Sequence, residues 1–408
     1  MKIKHITTYI FMLFVFKVQA QDLQILIDEA LYNNPQIQRF EATYKRIYER
    51  KEEAKTFPNT EISLGVFASA PETRTGAQRF KLSAKQMIPW FGVISARETY
   101  IESLAESSYQ DIVIIKRKLI VLISKQYYKL YENKAKQRVL DKNSELLSIY
   151  KKLALNSVEV DKASAVDVLR LQIRQNEIIQ QKEVLQKQFT AHQATLNKLL
   201  NRSATISVSV PNELALPLKE QQISAENLKI HPELIKYDKL YTSVKKSELL
   251  NKKEENPLIG LRLDYINVEK RPNLSFNDNG KDVIMPTIAL SIPIFNKKHS
   301  SISKQNKLRL KEISAQKLER LNALEANLQN ALANRSASMI NYKIQHKNLK
   351  QAKNAEKMLL KSYETGTIDF NDVLDIQELQ LKFQLSMITS VVNYYIQSIV
   401  INYLIDYN

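Results

Sequence analysis

Four windows of the chain alternate between apolar and polar side chains. Over 59–70, Ile62, Leu64, Val66, Ala68 and Ala70 oppose Glu61, Ser63 and Ser69; over 79–88, Phe80, Leu82, Ala84 and Ile88 oppose Arg79, Lys81, Ser83 and Lys85. Over 258–265, Ile259, Leu261, Leu263 and Tyr265 oppose Arg262 and Asp264; over 287–294, Ile288, Leu290, Ile292 and Ile294 oppose Thr287 and Ser291. A period of two predicts strands with one apolar and one polar face. The windows flank turn-forming segments at 71–78 and 266–284, the second holding Pro272, Asn277, Asp278, Asn279 and Gly280. Two β-hairpins are therefore expected, about 59–90 and about 257–294.

Elsewhere the spacing changes to three and four. Ile112, Ile115, Leu119 and Leu122 step this way. Heptad-like seams run through Leu171, Ile178, Leu185, Phe189, Leu196 and Leu199, and through Leu381, Leu385, Ile388, Val392, Tyr395 and Ile399. This is the pattern of coiled-coil packing. Helix breakers agree: of 6 Gly and 11 Pro, none falls in 93–210, and only Gly366 falls in 294–408. Long helices are expected near 95–157 and 298–365, shorter ones near 164–201 and 369–407, and helices near 35–56 and 232–254 running through Asn34-Pro35 and His231-Pro232. The class is mainly α with β: long antiparallel coiled-coil helices plus two hairpins.

The order repeats. Helix, hairpin, very long helix and shorter helix occur once in 21–210 and again in 222–408, with 211–221 as linker. Ile88-Pro89-Trp90-Phe91 matches Ile292-Pro293-Ile294-Phe295, and Asp167-Val168-Leu169 matches Asp372-Val373-Leu374. The offset drifts only from 197 to 205, as loop-sized insertions in a duplicated unit would make it. At about 1.5 Å per residue the long helices span about 100 Å, and a short helix stacked on its partner nearly equals one long helix. That suggests a wall of uniform height.

Composition narrows the class further. Residues 1–20 begin with Lys2 and Lys4, continue through an apolar run from Ile6 to Phe16 and end in Val18-Gln19-Ala20, which reads as a signal peptide. Cysteine is absent, which excludes a disulfide framework and an acylated terminal cysteine. The net charge of +17 comes from basic residues scattered along the chain, a solvated surface and not a nucleic-acid module. No later stretch has about 18 consecutive apolar residues, so no membrane helix is expected. The five His residues (His5, His192, His231, His299, His346) form no metal-ligand spacing, and no phosphate loop or nucleophile elbow is present. No cofactor and no enzyme activity are expected.

On an exported chain, hairpins with one apolar face can meet lipid, and strands of this length suit an outer membrane. Four strands cannot close a barrel alone, and open edges are not tolerated in lipid, so several chains must share one barrel. A soluble periplasmic coiled-coil adaptor or structural protein is the alternative. It has no use for two such hairpins.

With Gln86 to Gly92 (QMIPWFG), Tyr363 to Gln377 (YETGTIDFNDVLDIQ) and the duplicated order, the chain resembles the TolC family of outer-membrane efflux channels. The resemblance implies a homotrimer with a 12-stranded outer-membrane β-barrel and a periplasmic α-barrel, docked onto a periplasmic adaptor and an inner-membrane transporter. It implies a channel gate at the second turn: Asp372 and Asp375, three apart on one helix face, with Tyr363 and with Asp167 from the first copy. Ile368 stands where the family places an Arg. Asp161, Lys162, Gly366 and Thr367 become candidate adaptor contacts. Trp90 and Phe91, at a strand end, suit a membrane-interface girdle. The repeated phrase itself also reads simply as a helix start, with Ser164 and Asp369 as caps.

Overall fold

The computed structural model describes residues 23–159, 164–217, 225–365 and 367–405. Its elements are α1 (Leu23–Asn33), α2 (Pro35–Ala54), β1 (Glu61–Val66), β2 (Glu72–Thr73), β3 (Gly76–Ile88), α3 (Val93–Glu159) and α4 (Ala165–Leu199). A 3-10 turn (Ala225–Ile230) then leads to α5 (Pro232–Glu254), β4 (Leu258–Glu269), β5 (Val283–Ser291), α6 (Lys298–Glu364) and α7 (Phe370–Ile405). The two breaker-free stretches yield α3 and α6, each 67 residues and about 100 Å long. The proposed leader and Gly366 lie outside the described residues.

One expectation needs correcting. The helix does not run through Asn34-Pro35 or His231-Pro232: it restarts there. Proline has no N–H to give and suits the first helical position, while the residue before it is held extended. Asn34 accepts the Gln36 N–H at 2.9 Å through its side chain, and His231 accepts the Glu233 N–H at 3.3 Å through Nδ1. The two repeats thus break at the same place with chemically different caps.

The hairpins are not separate either. β3 pairs with β4, so the strands form one antiparallel sheet in the order β1-β3-β4-β5, with β2 on β3. The register aligns the apolar residues in rows. Ile62, Ala84, Leu263 and Pro286 form one row, and Leu64, Leu82, Tyr265 and Ile284 another. Between them lies the row Ser63, Ser83, Asp264 and Met285, and beyond the first lies Glu61, Lys85, Arg262 and Thr287. On that face Asp264 is buried, accepting from Ser83 at 2.5 Å and from Arg262 and Lys81 at 2.8 and 2.9 Å. The opposite face, with Ile62, Leu64, Val66, Ile288 and Leu290, is exposed.

Helix packing joins neighbours in pairs. α4 packs along α3, and α7 packs against both α6 and α3. Two apolar clusters sit midway along the rods, one around Leu26, Leu119, Leu130 and Leu196, the other around Leu234, Leu324 and Ile401. A third gathers Leu140, Leu147, Tyr150, Leu171, Ile178, Phe370, Val373 and Leu374 near the turns far from the sheet. Leu171, Ile178, Leu196 and Val392 of the predicted seams are buried. α7 is long and apolar enough to cross a membrane by length and composition, yet it packs in the groove between α3 and α6.

Candidate functional site

The candidate site is the end of the rods where α3 turns into α4 and α6 into α7. At the second turn α6 closes with Thr365, whose N–H reaches Lys361 and Tyr363 carbonyls. The Thr367 N–H and hydroxyl both donate to the Ser362 carbonyl, at 3.0 and 2.8 Å. The chain then enters α7 on Phe370, which is 1% exposed. Phe370 packs edge-on to Tyr150, 5.8 Å between ring centroids, and lies 4.9 Å from the Tyr363 ring. An aromatic plug thereby ties α7 to α3 and α6.

A polar belt begins about two turns above it. Tyr150 donates to Glu356 at 2.7 Å, Gln380 donates to the other oxygen of Glu356 at 2.9 Å, and Gln377 donates to the Tyr150 hydroxyl at 3.3 Å. Burial, with Glu356 beside it, pushes the Tyr150 phenol well above its ordinary range. The belt is satisfied only while α3, α6 and α7 stay together, since a buried polar group left unpaired costs about 1–3 kcal/mol.

The predicted residues divide. Asp372 and Asp375 are both exposed on the side of α7 opposite Val373, Leu374 and Gln377. Tyr363 points the other way, into the cluster, and its hydroxyl is buried without a hydrogen-bond partner. No hydrogen bond joins it to Asp167, which lies half-buried in the first turn of α4. Ser164 caps α4 by accepting the Val166 N–H at 3.2 Å. At α7 the Asp369 backbone carbonyl, not a side chain, takes the Asp372 N–H. Thr367 is exposed; Asp161, Lys162 and Gly366 fall outside the described residues. Trp90 and Phe91 follow β3, 5.9 Å apart and edge-on, with Phe91 exposed. His192 bonds Gln126 at 2.8 Å, and among the described residues no acid or His cluster is arranged to hold a metal.

Sequence reading missed the brace across the two hairpins. Arg174 on α4 donates to Glu177 at 2.9 Å and pairs with Glu378 on α7. The bond to Glu177, with Glu378 and Asp375 nearby, favours the charged guanidinium. No local signal links Arg174 to a residue 204 positions later.

The repeated phrase is buried differently in its two copies. Leu374 is 6% exposed between α3 and α6, whereas its counterpart Leu169 is 57% exposed. Val166, Ile173 and Val184 extend that exposed apolar stripe along α4.

No protein-family model and no curated protein sequence matches the chain. Solved structures do match in fold. CusC, whose structures concern folding and transmembrane channel formation, is 13% identical with TM-score 0.76, over 95% of this chain and 92% of that one. The outer membrane protein VceC from Vibrio cholerae is 13% identical with TM-score 0.75, over 94% and 95%. The open MtrE outer membrane channel of Neisseria gonorrhoeae is 16% identical with TM-score 0.74, over 94% and 88%. The neighbours share the architecture of the TolC-family outer-membrane efflux channels.

Proposed function

Because the chain carries the fold of the TolC-family channels, we propose that it is a passive outer-membrane export duct. The observation that supports this most is that every seam within the chain has an unfinished copy at its margins. β3 pairs with β4 inside the chain, while the outer edges of β1 and β5 are left open. α7 fits between its own long helix and the preceding one, while α4, its repeat equivalent, packs chiefly along α3, meets α7 at the Arg174–Glu378 pair, and keeps Leu169 exposed. Placing β5 beside β1 of the next copy, and α6 beside the next α4, repeats both internal seams. Continued around a ring, this rule closes a barrel and a tube at once. Four strands per chain in the order β1-β3-β4-β5, with the family resemblance, give a homotrimer with a 12-stranded barrel in the outer membrane and a helical barrel in the periplasm. The apolar rows then face lipid and the Asp264 face lines the lumen, with Trp90 and Phe91 at the junction.

In that arrangement residues 21–210 and 222–408 are two structural repeats joined at 211–221, following a leader at 1–20. The narrow end faces the cell interior and docks onto a periplasmic adaptor and an inner-membrane pump, with Thr367 and the neighbouring Asp161, Lys162 and Gly366 at the tips. Asp372 and Asp375 look into the bore and form the acidic ring of the gate, while Tyr363 and the Asp167 turn hold the ends of the helices that carry it. A duct of this kind performs no chemical step and needs no cofactor. Heat-resistant trimers in the outer-membrane fraction are the expected result; monomers in the soluble periplasmic fraction would refute the duct. In planar bilayers, Asp372→Ala with Asp375→Ala should abolish block by divalent cations from the narrow end. Undiminished block would reject the acidic ring.

A further inference from the structure

Halfway along the rods the wall is not filled. α5 and α7 both pack between α3 and α6, and the end of α7 at Ile405 gives way there to the start of α5 at Pro232. A cavity of about 500 Å³ opens at that place, walled by α3, α6 and α7. Its floor is apolar, since Leu324 and Leu404 are buried at its base. Leu122 stands at its rim, 45% exposed. Its charge is one-sided. Lys118 and Lys125 of α3 and Arg320 of α6 line it, and among the described residues no Asp or Glu does. Asn327, Asn330 and Asn334 of α6 and Gln397 of α7 add side-chain amide donors.

Two of the cations are already engaged. Glu233, in the first turn of α5, accepts from Tyr403 at 2.6 Å and meets Lys118 at 3.0 Å, and it pairs with Arg320. Burial works against its charge, but those three donors hold its pKa down to about 2. One carboxylate thus stands behind three cations. Lys125 is the surplus: it is half-buried, and no ion pair or hydrogen bond reaches its ammonium among the described residues. Half-buried lysines such as Lys51, Lys136 and Lys236 each meet a carboxylate. An ammonium held off bulk water beside apolar walls favours an anion brought from outside.

The cavity opens on the Asp372 side of the wall. At about 100° per residue, Gln397, Val400 and Leu404 lie within about 80° of Asp372 around α7. The two long helices agree. At their offset, Leu122 and Lys125 of α3 correspond to Asn327 and Asn330 of α6, and all four line the cavity. Its walls all come from one chain, and the seam proposed between copies joins α6 to the next α4, which lines no part of it. Gln397 lies 25 residues beyond Asp372, about 38 Å along α7. That is several times the screening length of about 8 Å in physiological salt. The acidic end and this basic cavity therefore act independently.

We propose that this cavity is a binding station for amphiphilic organic anions on their way along the bore. The carboxylate or sulfonate of such a molecule sits against Lys125 and the amides, and its apolar body lies over Leu122, Leu324 and Val400. The volume suits a small molecule of one or two rings, and apolar walls with a few convergent polar groups are what such a ligand needs. An organic cation of the same shape meets three like charges and is refused. The inference deepens the duct reading and rests on it for one point, that the Asp372 side is the bore.

The test uses the full-length chain in lipid nanodiscs, with empty discs as the blank. Dansylglycine is the anionic probe, dansylamide its uncharged analogue and dansylcadaverine a cationic one. Dansylglycine fluorescence should rise saturably, to one molecule per chain. Dansylamide should bind about tenfold more weakly, and dansylcadaverine should not bind. Lys125→Glu should weaken dansylglycine about tenfold and admit dansylcadaverine, while Lys125→Arg should keep the wild-type preference. If charge reversal disturbs folding, Lys125→Gln should still cost several-fold. Equal affinity for dansylamide, or no effect of the Lys125 substitutions, would overturn the station. In planar bilayers dansylglycine should reduce the single-channel current of wild type and not that of Lys125→Glu. Saturable binding with no effect on current would overturn the placement in the bore. Soluble monomers that still bind dansylglycine would fail the duct reading and keep the site; heat-resistant trimers that do not bind it would fail the site and keep the duct.

Discussion

His231→Asn replaces the cap of the second repeat with the residue that performs the same task in the first. His231 is 1% exposed, its ring 5.1 Å from Tyr403 and edge-on, with Arg117, Arg320 and Glu233 facing it. Burial, then Arg117, pull its pKa down from 6.5 to about 4, outweighing Glu233, which raises it. Nδ1 accepts the Glu233 N–H, so the neutral ring carries its proton on Nε2. The folded value lies below the unfolded one, so on acidification the unfolded chain takes up the proton first. Stability is full above neutral pH, falls as pH drops through 6.5, and the loss is complete near pH 4. At 1.36 kcal/mol per unit the loss reaches about 2 kcal/mol at pH 5 and about 3 kcal/mol at the acid limit. Asn keeps the cap and cannot titrate. It shifts stability by a constant through lost packing and removes the slope. Hydrogen exchange of the first-turn amides of α5, corrected for intrinsic pH dependence, reads both quantities. Wild type should open progressively more often from pH 7 to pH 5, and His231→Asn should not. Parallel slopes in the two proteins would refute the reasoning.

Two further substitutions test the ends of the rods. Phe370→Ala empties the contact among Tyr150, Tyr363 and Ile368, which should cost about 3–5 kcal/mol and appear as rapid exchange at the start of α7; unchanged protection there would reject the plug. In the sheet, Gly76 has φ +135 and a Cβ there would sit 1.9 Å from the Glu269 carbonyl oxygen, whereas Gly65 has open space. Gly76→Ala should therefore abolish heat-resistant oligomers and Gly65→Ala should leave them, read on an unheated gel, and equal yields would contradict the β3–β4 register.

How much of this was legible depended on whether the cause was local. The long helices were, because the absence of Gly and Pro over more than sixty residues needs no tertiary context. The breaks at Asn34 and His231 were also written locally, as a side-chain acceptor followed by Pro, and were missed because the apolar period continues across them. The joining of the two hairpins was not legible: β3 and β4 are separated by the whole of α3, α4 and α5, and register carries no signal at that distance. At the candidate site the shared face of Asp372 and Asp375 followed from spacing. The inward turn of Tyr363 and the Arg174–Glu378 brace follow only from which helices become neighbours.

The two open strand edges have a consequence for how such a chain reaches its destination. A single copy presents the hydrogen-bonding edges of β1 and β5 together with bare rows of isoleucine and leucine on both strands. That is a template for aggregation into mismatched stacks. Pro286 in β5 withholds one donor, a partial blunting of that edge. The hazard lasts until a partner edge arrives, so it scales with the lifetime of the lone chain. On the duct reading, survival in an aqueous compartment then becomes a kinetic matter: escort by a holding chaperone, low free concentration and rapid hand-over into lipid matter more than the thermodynamic stability of the finished assembly.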